Sequence, residues 1–236
     1  MTISVVIPAH NEEKYLGACL EHLLAHRSPD VIEVIVVDNA SADRTSRVAA
    51  SFPGITVLRE GRKGAPFARE RGFRASRGEL VAFIDADVLV PEGWFTKAQE
   101  AFREDPEAVG VTGPYHYHDL PPFRRFCTNA LCDMSGLVHS VTGAQLWGGN
   151  CVIRRDALEK IGGFDTTIAF YGDDVNTGRR LSDVGTVLHL PALTVSSSAR
   201  RLKGQGMVKT GMAYLMNSLS ELILHRPATR KYRDIR

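Results

Sequence analysis

Two aspartates separated by one alanine, Asp85 and Asp87, form the clearest chemical feature of the sequence. They follow the apolar run Glu79–Ile84, which predicts a buried strand with both carboxylates at its carboxyl end. Mg²⁺ and Mn²⁺ suit such a site, because these hard cations take few protein carboxylates and fill their shell with phosphate oxygens and water. The alternative is a helix cap plus a loop aspartate.

A second acid pair, Asp173 and Asp174, precedes a helix predicted over Asp174–Val184. The dipole of that helix explains one carboxylate near its N-terminus. The other needs a different reason. A partly buried carboxylate close to a reacting hydroxyl can serve as general base, which contributes roughly 10² to 10⁴ in rate.

Two basic segments containing glycine could contact phosphate groups. The first carries Arg62, Lys63 and Arg69, and the second carries Arg200 and Arg201 among small residues. Glycine lets the backbone approach a ligand while the cations supply charge-assisted hydrogen bonds. A solvated basic loop is the equal alternative for both segments.

The elements that must position these residues follow an alternation of strand and helix patterns, which indicates a parallel sheet built from βαβ units. Ligands of such sheets lie outside the carboxyl ends of the strands, so residues 8–11, Asp38 and residues 85–87 should converge. Asp38 could instead cap the next helix, and Asn11 is predicted to cap the first one. Strands are predicted over Ile3–Ile7, Val31–Val37, Ile55–Leu58 and Glu79–Ile84, and helices over Asp43–Ser51, Phe67–Ser76 and Pro91–Phe102.

The second half of the chain is less regular. Its predicted elements are strands over Val109–Thr112 and Thr186–Leu190, a short strand carrying His116 and His118, and helices from Pro121 and over Asp156–Ile161. His189 is expected to be a core or edge histidine, and none of these three histidines is favoured as a metal ligand. Residues 207–224 carry apolar side chains on one helical face and precede a basic tail. That helix could contact an anionic membrane surface, form a homodimer or dock on its own domain.

The composition sets the broad class. The chain has 236 residues, 44% of them hydrophobic and 24% charged, with a formal net charge of +2. These values are typical of a soluble α/β domain and too weakly basic for a nucleic-acid partner. The four cysteines lack metal-site spacing, and neither a signal peptide nor a bilayer span is recognised. We therefore expect a cytoplasmic protein with reduced thiols, with peripheral contact at the inner membrane face as an option.

Six short motifs occur in an order that resembles family 2 glycosyltransferases. They are PAHNEE at 8–13, VVDNAS at 36–41, FIDAD at 83–87, GGN at 148–150, GGFD at 162–165 and YGDD at 171–174. The resemblance implies a GT-A fold, which is a Rossmann-like, mixed and mostly parallel sheet flanked by helices. It also implies a nucleoside-diphosphate-sugar donor, a divalent cation and inversion at the anomeric carbon.

The resemblance also implies roles for individual residues. The nucleoside pocket would be lined by Pro8, Ala9, Glu12 and Asp38, and the nucleotide would lie by Lys63 and Arg69. Asp85 would face the ribose or the metal, and Asp87 would bind the cation. Asp174 would be the catalytic base. Asp173 stands where the family usually has glutamate, and Ser196–Ser198 stand where many members have a histidine. Which of the two acids is the base is therefore open.

The predicted organisation is a single domain over residues 1–236. Residues 1–112 would bind the nucleotide sugar, 113–205 would hold the acceptor and the base, and 206–236 would form a C-terminal amphipathic helix and basic tail. Arg200 or Arg201 would neutralise the departing diphosphate. Trp147 could stack on a sugar or simply pack in the core. A metal-dependent nucleotidyltransferase and a non-catalytic nucleotide-sugar-binding protein are the alternatives.

Overall fold

The computed structural model describes residues 1–134, 136, 139, 146–168, 172–206, 216 and 220. A seven-stranded sheet forms its centre, with the strands in the order β3-β2-β1-β4-β8-β6-β9. These strands are β1 (Ile3–Ala9), β2 (Val31–Asn39), β3 (Ile55–Glu60), β4 (Leu80–Ile84), β6 (Ala108–Thr112), β8 (Asn150–Arg154) and β9 (Thr186–His189).

Most of the strand pairs are parallel. β1 pairs in parallel with β2 and β4, β2 with β3, and β6 with β9. β8 is the exception, because it runs antiparallel to both β4 and β6. The mixed, mostly parallel sheet flanked by helices that the sequence predicted is therefore confirmed.

Helices cover both faces of the sheet. They are α1 (Leu16–His26), α2 (Thr45–Ala50), α3 (Ala65–Ala75), α4 (Trp94–Glu104), α5 (Pro122–Asp133), α6 (Arg155–Lys160), α7 (Asp173–Ser182) and α8 (Arg200–Gln205). One face of the sheet packs against Leu20 of α1 and Trp94 of α4. The other face packs against Phe73 of α3 and Leu158 of α6. Because both faces are covered, the central strands are almost entirely apolar.

A second, three-stranded sheet lies beside the first, in the order β5-β10-β7. Its strands are β5 (Val88–Leu89), β7 (Tyr115–Tyr117) and β10 (Val195–Ser197). β5 begins directly after Asp87, and β10 pairs with it in antiparallel register. This pairing brings the segment that leads into Arg200 next to the aspartate triplet.

Some local predictions were wrong. Asn11 caps no helix, since α1 begins at Leu16 and the Asn11 side chain instead accepts a hydrogen bond from the backbone N–H of Ala42. The sequence also gave no prediction of β8, whose pairing partners β4 and β6 are far away in the chain. β9 is an edge strand and ends at His189, which agrees with the expectation of an edge histidine.

None of the helices in the described part of the chain combines the length and apolar character that a bilayer crossing requires. The amphipathic segment 207–224 falls outside the described residues except at Met216 and Ser220. The four cysteines form no disulfide.

Candidate functional site

The site is built where β1, β2 and β4 end at the same edge of the sheet. Ala9 lies opposite Asp38 in the register of β1 and β2, and Asp85 continues directly from β4. The backbone N–H of Asp85 donates to the carbonyl of Gly149, 3.0 Å away. The predicted convergence of residues 8–11, Asp38 and residues 85–87 at one crevice is therefore present in the structure.

The loops after β1 and β2 are tied to each other across the mouth of this crevice. The backbone N–H of Asn11 donates to Ser41 Oγ at 3.0 Å, and the N–H of Glu12 donates to Thr45 Oγ1 at 2.7 Å. Asn11 and Ala40 both have positive φ, at 53° and 55°, which non-glycine residues adopt rarely. Backbone strain of this kind persists only where the surrounding contacts hold it, and the hydrogen bonds between the two loops do so here.

Glu12, Arg200 and Asp87 form one buried ion network. Arg200 donates two hydrogen bonds to the Glu12 carboxylate, at 2.5 and 2.6 Å, and its Nε lies 3.1 Å from Asp87 Oδ2. The guanidinium also stacks on the Tyr15 ring, 4.6 Å from its centroid. Glu12 is only 2% exposed, so its charge needs this partner. The network joins residues 188 positions apart in the sequence.

A second network joins the aspartate triplet to the late acid pair. The Arg69 guanidinium lies between Asp85, at 3.5 Å, and Asp173, with which it forms a direct ion pair. Arg69 and Asp173 are both buried. Arg69 therefore lies at the crevice, as predicted, but its charge is directed at two carboxylates of the protein.

Two glycines make room for this second network. A Cβ at Gly149 would lie 2.0 Å from Cγ of Asp85, and one at Gly148 would lie 2.9 Å from the Arg69 guanidinium carbon. Real side chains do not approach so closely. The GGN motif is therefore explained by the space that Asp85 and Arg69 occupy.

Asp174 differs from its neighbour Asp173. Arg69 forms an ion pair with Asp173, whereas no arginine among the described residues pairs directly with Asp174. Its own Oδ1 accepts a hydrogen bond from the backbone N–H of Val175 at 2.9 Å. Burial, with the nearby negative charge of Asp173 as the second cause, raises the pKa of Asp174 to about 7. A carboxylate with a pKa near neutrality is suited to take up a proton at physiological pH.

The remaining predicted residues occupy different parts of the crevice. Asp38 accepts hydrogen bonds from the N–H of Ser41, at 3.0 Å, and from the hydroxyl of Ser46, so it holds the turn that leads into α2. Pro8 is partly exposed, Lys63 is exposed in the loop after β3, and Arg201 follows Arg200 in α8.

Asn39 and Asn150 hold the loops around the site, and neither was predicted to do so. Asn39 donates to the carbonyls of Glu60 and Arg62, at 3.3 and 2.7 Å, and accepts from the N–H of Gly64 at 2.7 Å. Asn150 is buried and donates to the carbonyls of Gly113 and Leu193. Asn39 lies in the motif VVDNAS and Asn150 in the motif GGN, but spacing alone does not reveal long-range partners.

The aspartates of the triplet fit a divalent cation that also binds a phosphate ligand. The Asp85 side chain is 43% exposed and that of Asp87 is 12% exposed, so both reach the crevice. No cluster of three or more histidine, cysteine, aspartate or glutamate side chains within the described ranges could hold a metal. Mg²⁺ and Mn²⁺ sites of one or two carboxylates do not need such a cluster, because phosphates and water complete the shell.

Trp147 is partly buried and packs edge to face against Tyr115, with 5.7 Å between the ring centroids. Its indole N–H is buried and has no hydrogen-bond partner within the described residues. His116 pairs with Asp133 at 2.8 Å, and His118 with the hydroxyl of Ser196 at 3.0 Å.

The fold and these motifs define a family, and the chain belongs to glycosyl transferase family 2. The model of that family, described as "Glycosyl transferase family 2", matches residues 4–162. The match includes the ends of β1, β2 and β4 and the two glycines. It ends before the acid pair at the start of α7.

Two curated relatives illustrate the similarity. Glycosyltransferase GlyG of Streptococcus pneumoniae is 33% identical over 122 residues, which are 50% of this chain and 40% of the relative. Glucosyl-dolichyl phosphate glucuronosyltransferase of Haloferax volcanii is 27% identical over 185 residues, which are 73% of this chain and 59% of the relative. The chain thus spans about half the length of these proteins.

Solved structures share the fold. The mannosyltransferase PcManGT of Pyrobaculum calidifontis, in complex with GDP-Man and Mn²⁺, superposes with a TM-score of 0.66 at 23% identity, over 88% of this chain and 62% of its own. Glucosyl-3-phosphoglycerate synthase of Mycobacterium tuberculosis, in complex with Mn²⁺, UDP and phosphoglyceric acid, gives a TM-score of 0.67 at 21% identity, over 98% and 80%.

Proposed function

We propose that the chain is a nucleotide-sugar-dependent glycosyltransferase that moves a sugar from a nucleoside diphosphate to an acceptor hydroxyl with inversion. The observation that carries this proposal is the chain of ion pairs from Asp85 through Arg69 to Asp173. It fixes the late acid pair beside the aspartate triplet, so a donor in the crevice has a carboxylate within its neighbourhood. An acid pair elsewhere on the surface would not support transfer.

The donor's nucleoside would lie at the ends of β1 and β2, where Glu12 and Asp38 offer carboxylates for the base or ribose and Pro8 and Ala9 form the wall. Its diphosphate would lie toward Arg200, with Lys63 and Arg201 as further cations. Arg200 already spans the space between Glu12 and Asp87. The two solved neighbours are complexes with GDP-Man and with UDP, which supports a donor of this class.

Asp87, together with Asp85, would hold a divalent cation, Mn²⁺ or Mg²⁺. When bound, such a cation supplies positive charge to the diphosphate as negative charge develops on it. Two hard carboxylates at a strand end fit that role, and both solved neighbours are complexes with Mn²⁺.

Asp174 would act as the general base. It takes the proton of the acceptor hydroxyl while that oxygen forms a bond to the anomeric carbon, and the bond from that carbon to the diphosphate breaks. The electron pair leaves with the diphosphate, where Arg200 offsets the charge. Asp173 is already paired with Arg69, so its role in this scheme is to hold Arg69 and to raise the pKa of Asp174.

The similar proteins do not indicate one acceptor class. One is named for a glucosyl-dolichyl phosphate, and another is a complex with phosphoglyceric acid. The second half of the chain, including Trp147 and α5, is the part we assign to the acceptor.

Product analysis tests the proposal. The protein is incubated with Mn²⁺ and either a panel of sugar nucleotides or a panel of nucleoside triphosphates, with a mixture of hydroxyl acceptors. Release of nucleoside diphosphate from a sugar nucleotide is the expected result. Release of pyrophosphate from a triphosphate would instead indicate a nucleotidyltransferase, and tight binding of a sugar nucleotide with no turnover on any acceptor would favour a binding protein.

A further inference from the structure

Asp119 lies outside every motif of the family and outside the crevice, in the turn that follows β7. Its carboxylate nevertheless accepts three hydrogen bonds from one distant segment. Oδ1 accepts from the backbone N–H of Ala199 at 2.7 Å, and Oδ2 accepts from the hydroxyl of Ser198 at 2.9 Å and from Lys203 Nζ at 3.0 Å. The partners are about 80 residues away in the sequence.

These partners surround the first turn of α8. Ala199 is the residue before the helix, and it is fully buried. The hydroxyl of Ser198 in turn accepts from the backbone N–H of Arg200 at 3.3 Å. Asp119 therefore binds the backbone N–H of Ala199 directly and that of Arg200 through the Ser198 hydroxyl.

A helix as short as α8 does not fix its own position. It has six residues, and the N–H groups of its first turn have no partners inside the helix. An external carboxylate that accepts from the backbone at this point therefore helps to fix where the helix begins and from where its first side chain extends. That first side chain is Arg200.

We propose that Asp119 is a positioning residue that sets the Arg200 guanidinium for contact with the donor's diphosphate. The inference rests on the proposed function, since it assigns Arg200 to the diphosphate. A preorganised cation stabilises developing charge better than a mobile one, because no reorganisation is needed during the reaction. Asp119 itself touches neither donor nor acceptor in this scheme.

A double-mutant cycle between Asp119→Ala and Arg200→Ala tests the role, with Asp119→Asn as the conservative variant. The readouts are the dissociation constant for a nucleoside diphosphate in the presence of Mn²⁺, and kcat and KM with the sugar nucleotide. Asp105→Ala is the matched control, because the Asp105 carboxylate also accepts a backbone N–H, from Glu107 at 3.0 Å, but lies at the end of α4.

Asp119→Ala is expected to weaken diphosphate binding and kcat/KM by about tenfold, the size of one charge-assisted hydrogen bond. It should have almost no further effect when Arg200 is already alanine. Asp119→Asn keeps the acceptor for Ala199 and should recover part of the loss, and Asp105→Ala should leave both readouts unchanged.

Independent, multiplicative losses from the two substitutions would overturn the positioning role, as would equal losses from Asp119→Ala and Asp105→Ala. A wild-type protein that binds the diphosphate but transfers no sugar would refute the proposed function while leaving the cycle measurable by binding. A wild-type protein that does not bind the diphosphate would overturn both.

Discussion

At the residue scale, identical side chains in adjacent positions have different chemistry. Burial raises the pKa of both carboxyls, but Asp173 is ion-paired with Arg69, whereas Asp174 is partly exposed and its pKa is raised to about 7. The resemblance left open which acid is the base. We favour Asp174 as the base, because the Asp173 carboxylate is already engaged by Arg69.

Asp174→Asn is predicted to lower kcat by roughly 10² to 10⁴ while donor binding stays near the wild-type value. The amide keeps the size of the side chain but cannot take up the proton. Single-turnover transfer assays and calorimetric titration with the sugar nucleotide measure the two quantities. Transfer at the wild-type rate would remove Asp174 from the base role.

The pH dependence of transfer should follow the same carboxylate. The base works only when ionised, and its pKa in the ligand-free protein is about 7. We therefore expect kcat/KM to fall about tenfold per pH unit below that value and to level off above it. A profile measured from pH 5 to 8 with a constant Mn²⁺ concentration checks this, and a flat acidic limb would contradict it.

Gly149 is predicted to tolerate no side chain. In Gly149→Ala the new Cβ would meet Asp85 Cγ at 2.0 Å, so Asp85 must move away from Arg69 and from the crevice. We expect Mn²⁺-dependent binding of the donor to weaken by about tenfold or more. Gly17→Ala is the control, since its Cβ would lie 3.9 Å from Val48. Equal affinities for the two variants would contradict the role assigned to this glycine.

At the element scale, the loops around the crevice are positioned by side chains of the strands. Asn39 is the last residue of β2, and its amide makes three hydrogen bonds with backbone groups of residues 60–64. Arg62 is ion-paired with Glu60 in that loop, which lowers the pKa of Glu60 to about 2. Lys63 follows Arg62, so the position of this cation depends on Asn39.

Asn39→Ala is predicted to destabilise the fold by about 1–3 kcal/mol, because backbone groups of the loop lose their buried partner. It should also weaken binding of a nucleoside diphosphate, because Lys63 is then held less firmly. Asn129→Ala is the control, since Asn129 Oδ1 accepts one backbone N–H, from Tyr117, in the second half of the chain. Denaturant unfolding and calorimetry separate the two effects, and unchanged affinity in Asn39→Ala would refute the link to Lys63.

At the scale of the whole molecule, the site is formed by ion pairs between residues that are far apart in the sequence. Arg69 links the triplet to α7, and Arg200 of α8 is paired with Glu12 in the loop after β1. Buried charges of this kind destabilise the fold unless they remain paired, so loss of one partner leaves the other charge buried without compensation. The stability of the fold and the geometry of the site therefore depend on the same contacts.

Stability should accordingly depend on pH through Asp174. Its folded-state pKa is raised, so the contribution it makes to stability is complete below the unfolded pKa near 4 and is lost as pH rises through about 7. Asp174→Asn removes this titration. We expect the difference in Tm between variant and wild type to shift in favour of the variant from pH 4 to pH 8. A constant difference across that range would argue against a raised pKa.

The membrane or dimer contact expected of residues 207–224 stays a prediction, because that segment lies almost wholly outside the described residues. The division of the chain into donor, acceptor and tail parts also stays a prediction. Ion pairs between Arg69 and Asp173 and between Glu12 and Arg200 connect the first two parts.

Much of the fold was determined by the sequence itself. Short apolar runs predicted β1 to β4 to within a few residues, because the burial of parallel strands in the middle of a sheet depends on local composition. The rule that ligands lie at the carboxyl ends of such strands then placed Asp38 and Asp87 at one crevice. Motifs in fixed order supplied the family.

Only the tertiary structure decided which charges meet. The pairing of Glu12 with Arg200, of Arg69 with Asp173 and of Asp119 with the start of α8 depends on where distant segments of chain come together. Asn11 shows the same limit: its residue type is common at helix caps, but its side chain instead connects two loops. Local patterns record which residues are polar, but the partner of a buried charge is chosen by the packing of the whole domain, where an unpaired charge is too costly to persist.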